Sequence, residues 1–337
     1  MISFFKPTRR RAALWLVLLL AILGAACRLG AVPDESAPTA TAPVVAATPK
    51  AEPPSPTVEA SSTPTLTEGV PSSTPTPTPS PQPTALRFAV IGDYGLAGEP
   101  AEDVANLVKR WQPDLIITTG DNNYPDGAAE TIDLNVGQYY HEYIAPYHGD
   151  YGAGAEVNRF FPTLGNHDWN TDKAQPYLDY FELPGNERYY EFVWEPVHFF
   201  ALSSDSREPD GVGESSTQAA WLQTALSEST SPWQIVYAHH PPYSSGPHGS
   251  IDWMRWPFQA WGADVLFCGH NHIYERLIVD GFPIFINGVG GGPIYALDEI
   301  HQASEVRYNQ NHGAMLVEAS ETKIEFQFIT RTGDVID

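Results

Sequence analysis

The sequence predicts an α/β (α+β) fold with a parallel core, carried by one globular domain, and three observations lead there. A βαβ unit opens the folded region. Five separate apolar runs each end in a short loop of Asp, Asn or His. The last third of the chain then changes to alternating, strand-like patterns without further helical periodicity.

The elements follow in order. Residues 87–91 read as a buried strand that ends at Gly92-Asp93-Tyr94-Gly95. Ala101, Val104, Ala105, Val108 and Trp111 recur at helical spacing, and Pro113 stops that helix. Residues 115–119 are the second strand, so Asp93 and Asp121 stand at successive strand ends of a parallel pair. A helix is expected over about 132–144. His141 and His148 have no ligand-type neighbours and read as ordinary surface or core histidines. Residues 160–164 lead into Gly165-Asn166-His167-Asp168. Residues 189–194 and 198–203 read as a hairpin broken at Glu195-Pro196. Ser215 with Gln218 has the capping-box spacing, ahead of a helix whose apolar face is Trp221, Leu222, Ala225 and Leu226. Residues 235–237 end at His239. A further helix is expected over 250–261, and 264–268 deliver His270 and His272. Mixed or antiparallel β structure is expected from Pro283 onward, clearest at 315–319 and 323–329.

Composition sets the boundaries around this domain. Residues 1–27 read as an export signal: a basic cluster at 6–11, an apolar run at 12–26, then Cys27. Gly24-Ala25-Ala26-Cys27 resembles a bacterial lipobox, which implies a lipid on Cys27 and attachment to the outer face of the cell membrane. The alternatives are a secreted protein or an uncleaved anchor, for which 15 apolar residues are short. Thr8-Arg9-Arg10-Arg11 leaves both the general and the twin-arginine export routes open. Residues 28–84 are a Pro, Thr and Ser-rich linker that cannot bury enough surface to offset its ordering entropy, so an extended, disordered spacer is expected. Residues 85–337 remain for the globular domain, at roughly 250 residues enough for one well-buried core.

The formal charge is −23, from 18 basic and 41 acidic residues, which speaks against nucleic acid as a partner. Only two cysteines are present, so no disulfide framework exists, and Cys268 at a strand end is expected to be a buried thiol.

The functional residues sit at the strand ends, where open α/β sheets build their sites. Asp121 carries two oxygens and stands in Gly120-Asp121-Asn122-Asn123-Tyr124, positioned to bridge two cations. Asp93, Asn166-His167-Asp168, His239-His240 and His270-Asn271-His272 supply matching ligand types. Carboxylate, phenolate, imidazole and amide oxygen suit Fe, Mn or Zn better than Cu(I). Two such ions about 3.5–4 Å apart clamp a phosphoryl group and make hydroxide available near neutral pH for in-line attack.

In this order, the blocks resemble the calcineurin-like metallophosphatase superfamily over nearly all of 86–320. Within it the chain is most similar to purple acid phosphatases of the small single-domain type. Tyr124 stands three residues after Asp121, where that family has its iron-binding tyrosinate. His248 stands nine after His239 and precedes Gly249. The resemblance implies a four-layer αββα sandwich. It implies Fe(III) held by Asp93, Asp121, Tyr124 and His272, and a second ion, Fe, Zn or Mn, held by Asp121, Asn166, His239 and His270. His167 and His248 are then left for the leaving group, as transition-state donor or general acid, though His248 also reads as a plain loop histidine. Asn122 has two readings, a substrate contact alongside Asn166 or a turn residue. His-Asp after Asn166, where many relatives have His-Glu, and Asn271 in place of Asp depart from the subfamily pattern. The expected activity is hydrolysis of small phosphate monoesters by a monomer. A phosphodiesterase or nucleotidase with the same metal pair, and a non-catalytic surface binding module, are the alternatives.

Overall fold

The computed structural model describes residues 2–6 and 85–337. The apolar part of the export signal, Cys27 and the linker lie outside the described residues.

In chain order the strands are β1 (Ile2–Phe5), β2 (Leu86–Ile91), β3 (Leu115–Thr118), β4 (Phe160–Pro162), β5 (Tyr190–Trp194), β6 (Val197–Ala201) and β7 (Trp233–Tyr237). They continue with β8 (Val265–Cys268), β9 (Tyr274–Val279), β10 (Phe282–Asn287), β11 (Ser304–Tyr308), β12 (Gly313–Ala319) and β13 (Lys323–Thr330). The helices are α1 (Glu99–Trp111), α2 (Ala129–Ile132), α3 (Gln138–Tyr140), α4 (Gln175–Tyr180), α5 (Thr217–Glu228) and α6 (Phe258–Trp261).

One sheet has the order β1-β13-β12-β2-β3-β4, and the other β11-β9-β10-β8-β7-β6-β5. In the first, β2, β3 and β4 run parallel. In the second, β6, β7, β8 and β10 run parallel. Antiparallel strands flank both parallel cores.

The strict alternation of the second sheet shows why it is covered twice. Phe199, Ile235, Tyr237, Val265 and Phe267 face the cluster shared with the first sheet. Phe200, Val236, Ala238, Leu266 and Cys268 face a separate cluster with α5 and α6. Successive strand residues point to opposite faces, so a strand apolar at every position must be buried on both. Val104, Ala105 and Val108 of α1 join the first cluster. The layers are therefore helix, sheet, sheet, helix. Phe88 meets Phe199 edge-on at 5.1 Å, and Phe267 lies 5.9 Å from Phe326, which joins the two sheets. At about 1.5–3 kcal/mol for each fully buried large apolar side chain, these rings dominate the packing.

Several expectations need correction. The helix expected over 132–144 starts earlier and contains a π turn, Asp133–Gly137, between α2 and α3. That turn holds buried Asn135, whose amide donates to Asn123 Oδ1 at 2.7 Å and to the Tyr124 carbonyl at 2.9 Å. The irregular turn thus serves the loop that carries Tyr124. The cap of α5 is Ser216, whose hydroxyl accepts from Ala219 N at 3.0 Å, and Ser215 plays no part in it. Gln218, fully buried, instead exchanges two hydrogen bonds with the Ser203 backbone, tying α5 to the loop after β6. No continuous helix spans 250–261. Pro257 disfavours helical geometry at the residue before it, so only a turn at Asp252–Met254 and the short α6 form.

Strand β9 escapes the sequence reading because two of its residues, Glu275 and Arg276, are charged yet buried. Glu275 is held by Ser245 N at 2.8 Å and by the Ser245 and Ser304 hydroxyls, and Arg276 pairs with Asp337 at 2.7 Å. Strand β1 comes from residues read as the start of the export signal. It pairs antiparallel with β13, Ser3 opposite Glu325, and Lys6 reaches Asp264 at 2.8 Å.

Candidate metal centre

The parallel strands of both sheets deliver their carboxyl ends to one place. Asp93 follows β2, Asp121 and Tyr124 follow β3, and Asn166 follows β4. His239 follows β7, and His270 and His272 follow β8. The first sheet therefore supplies mainly oxygen ligands, and the second supplies imidazoles.

The turns are tight and conformationally strained. Asp93, Asp121 and His270 have φ of 52°, 54° and 69°, in the left-handed region that most side chains avoid. The loops also approach each other closely. A Cβ on Gly165 would sit 2.2 Å from the Asp121 amide nitrogen, so only glycine lets the Asn166 loop pass against Asp121.

Two groups of donor atoms result. In the first, the Tyr124 hydroxyl lies 2.9 Å from Asp121 Oδ2, 3.4 Å from Asp93 Oδ1 and 3.0 Å from His272 Nε2. In the second, Asn166 Oδ1 lies 3.0 Å from both His239 Nε2 and His270 Nδ1, which are themselves 3.2 Å apart. His239 Nε2 is 3.5 Å from Asp121 Oδ2, so Asp121 belongs to both groups.

Hydrogen bonds behind the rings decide which nitrogen faces inward. His239 Nδ1 donates to the Thr119 carbonyl at 2.8 Å, and His272 Nδ1 donates to the Pro293 carbonyl at 2.6 Å. A carbonyl oxygen only accepts, so in each neutral ring the proton sits on Nδ1 and Nε2 turns its lone pair to the cluster. His239 Nε2, His270 Nδ1 and Asn166 Oδ1 converge on one point, where a cation satisfies all three together.

The electrostatics agree with a site built for cations. Asp93 has no exposed surface and Asp121 is 2% exposed. Burial pushes the Asp93 carboxyl up, but His272 and the other histidines around it hold it below its ordinary value. Burial, then Asp121 and Asp93, drive the Tyr124 phenol far up, so it ionises only against a strong positive charge. Burial, and then its neighbours His239 and His240, push His270 down, leaving it neutral and able to coordinate. Burial lowers the pKa values of His239 and His272, but the nearby Asp93 and Asp121 carboxylates outweigh it and raise both, so a metal ion takes the place of a proton there, and the donor set fits two metal ions, one at each group.

The remaining expected residues divide. His167 Nδ1 donates to the Pro125 carbonyl, its ring lies 4.4 Å from Tyr124, and its Nε2 is 4.0 Å from Asp121. His248 is exposed and stacks on His270 at 4.5 Å. Both border the cluster.

Asn122 does not offer its side chain to a substrate. It is fully buried, its Oδ1 accepts from Tyr94 and Thr118, and its Nδ2 donates to the Thr163 carbonyl and Asp168. All four of its bonding positions are filled from within, which corrects the substrate reading in favour of a turn brace.

The sequence reading also missed several side chains. Buried Asp168 accepts from Asn122 N at 3.1 Å and Gly165 N at 2.8 Å, locking two ligand loops together. Tyr295 stacks on His272 at 4.1 Å. His240, its pKa lowered to about 3 by burial and then by His239, lies 4.4 Å from His270 and pairs with Ser204. Arg207 donates to the Asn166 carbonyl at 2.8 Å. Of these, only Asp168 and His240 carried a signal, as acid and imidazole beside expected ligands.

A family model described as calcineurin-like phosphoesterase matches residues 86–274, more than half of the chain. Purple acid phosphatase 3 of Arabidopsis thaliana is 25% identical over 297 residues, covering 74% of this chain and 75% of that protein. Purple acid phosphatase 15 of the same plant is 26% identical over 220 residues, covering 56% of this chain and 40% of that protein. The chain thus spans three quarters of one relative and less than half of another. Among solved structures, purple acid phosphatase PPD1 from Lupinus luteus superposes with a TM-score of 0.60 at 17% identity, covering 76% of this chain and 53% of that one. That likeness speaks for the fold.

The shared position of Asp121 generates a direct test. Asp121→Ala is expected to fold, by circular dichroism, and to release both ions on dialysis, with activity falling by about 10³ or more. Stoichiometric metal with full turnover in this variant would refute a shared carboxylate.

Proposed function

The chain belongs to the calcineurin-like phosphoesterase family, and from that premise we propose an exported phosphatase that hydrolyses phosphate monoesters in the manner of the purple acid phosphatases. The observation that carries this reading is the pair of donor groups meeting at Asp121. In this reading Asp93, Asp121, Tyr124 and His272 hold Fe(III), and Asp121, Asn166, His239 and His270 hold Fe, Zn or Mn. When bound, two such ions would neutralise phosphoryl charge and lower the pKa of a nearby water.

The chain's own residues do the rest. His167, with its Nδ1 proton held by the Pro125 carbonyl, keeps Nε2 directed into the site, where it can hold or pass a proton at a departing oxygen. His248 and Tyr295 wall the opening over His270 and His272. The walls are imidazole and phenol rings, apolar enough to seat a small organic leaving group while the phosphoryl group meets the metal ligands.

The proposal includes the compartment. A basic cluster, an apolar run and Cys27 support export and lipid attachment, with residues 28–84 as the spacer from the membrane. Cleavage before Cys27 would also remove β1 from the edge of β13.

The purified protein is expected to cleave monoesters faster than diesters. His167→Ala and His248→Ala are expected to slow alkyl phosphates by about 10²–10⁴ and activated aryl phosphates far less. Equal losses on both would turn these histidines into positioning groups, and a diester preference would make the protein a phosphodiesterase.

Protein purified with its native metals is expected to absorb in the visible, and Tyr124→Phe is expected to bleach it while staying folded. Stoichiometric iron in a colourless wild type would remove Tyr124 from the ligands.

Mass spectrometry of protein recovered from its producing cells is expected to show a mature chain starting at a lipid-modified Cys27. A mature chain starting beyond Cys27, or an unmodified Cys27, would overturn the lipid anchor.

A further inference from the structure

A sixth strand-end loop, unmarked in the sequence, lies beside the five that carry the ligands. It runs from the end of β6 through Ser203, Ser204, Asp205 and Arg207, and it touches two ligand-bearing loops at once. On one side the Ser204 hydroxyl accepts from His240 N at 2.9 Å and pairs with His240 Nδ1 at 2.9 Å, next to His239. On the other, Arg207 reaches the loop of Asn166. Its Nη2 donates to the Asn166 carbonyl at 2.8 Å and its Nη1 to Asn170 Oδ1 at 2.8 Å. The guanidinium is held from behind by Asp205, which is 4% exposed, through Nε at 2.6 Å and Nη2 at 2.8 Å.

We propose that Arg207, oriented by Asp205, is a positioning residue for the second metal site, clamping the Asn166 loop so that Asn166 Oδ1 stays aimed between His239 and His270. The proposal rests on the two-metal reading above. Asn166 contributes a single uncharged amide oxygen to that site, so its contribution depends on that oxygen being held in place. The planar fork also explains why the position holds arginine. One guanidinium grips a carboxylate with two nitrogens and still bonds two acceptors four residues apart, which a lysine ammonium cannot match in geometry. The other site, built on Asp93, Tyr124 and His272 with the shared Asp121, has no hydrogen bond to Arg207 or Asp205 among the described residues, so loss of the clamp should bear chiefly on the second site.

The experiment is a calorimetric titration of the full-length apo protein with Zn(II), without substrate. Wild type is expected to bind two ions. Arg207→Ala is expected to weaken one of them by about 10–100-fold, the range for partners that orient a ligand, and to change the other far less. Arg207→Lys should fall in between. Asn166→Ala serves as the reference, weakening the same ion while still binding it measurably, and adding Arg207→Ala to it should change that ion's affinity less than about twofold if both act on one site.

A uniform weakening of both ions, or an undiminished effect of Arg207→Ala in the Asn166→Ala background, would make the arginine merely structural and overturn the proposal. Unchanged affinities would overturn it too. Should Arg207→Ala fail to fold, Asn170→Ala removes one clamp contact and leaves the ion pair, and no weakening there counts against the clamp. If Asn166→Ala itself leaves zinc binding untouched, the metal reading fails at its root, a different result from failure of the clamp.

Discussion

Two aspartates with almost no exposed surface, Asp93 and Asp121, meet at the junction of the two sheets, and much of the local structure exists to make that arrangement tolerable. Buried carboxylates are costly unless paired with positive charge and hydrogen-bond donors. Asp93 receives the His270 amide and lies 3.3 Å from His272, and Asp121 receives the His167 amide and the Tyr124 hydroxyl. These partners bind the two charges into one network, and cations complete it. The left-handed turns at Asp93, Asp121 and His270 are strained conformations held where the carboxylates and imidazoles must face one another.

The rigidity that holds this strain comes from behind the ligands. Asn122 and Asp168 bind the loops of β3 and β4 to each other, Asn135 supports the Tyr124 backbone, and backbone carbonyls of Thr119 and Pro293 fix the His239 and His272 rings. Each of these polar groups is buried or half-buried and has its partners, which is the condition under which such a network rigidifies a site. The glycine at position 165 belongs to the same design, since any side chain there would collide with Asp121.

The two sheets divide the labour. Their parallel strands run so that the carboxyl ends open on the same side, with the phenylalanine contacts between Phe88 and Phe199, and between Phe267 and Phe326, holding the sheets in register. A rotation between the sheets would separate oxygen ligands from imidazoles. The distance between oxygen and imidazole donors within each group is therefore set by core packing as much as by the loops, and a dense core deforms little.

Strand and loop identity were legible in the sequence for a local reason. Apolar runs, glycines and the Asp, Asn and His at strand ends are contiguous, so β2, β3, β7, β8 and the donor types of the centre could be read residue by residue. Tertiary structure alone decided the rest. Glu275 and Arg276 hide β9 because their partners, Ser245 and Asp337, come from distant segments. Asn122 proves a brace because residues 94, 163 and 168 converge on it. Ile2–Phe5 becomes a strand only because β13 offers an edge more than 300 residues away. Arg207 matters through an acceptor 41 residues upstream. A pattern along the chain reports what each residue is, whereas hydrogen bonds between far segments depend on which loops the sheets bring together.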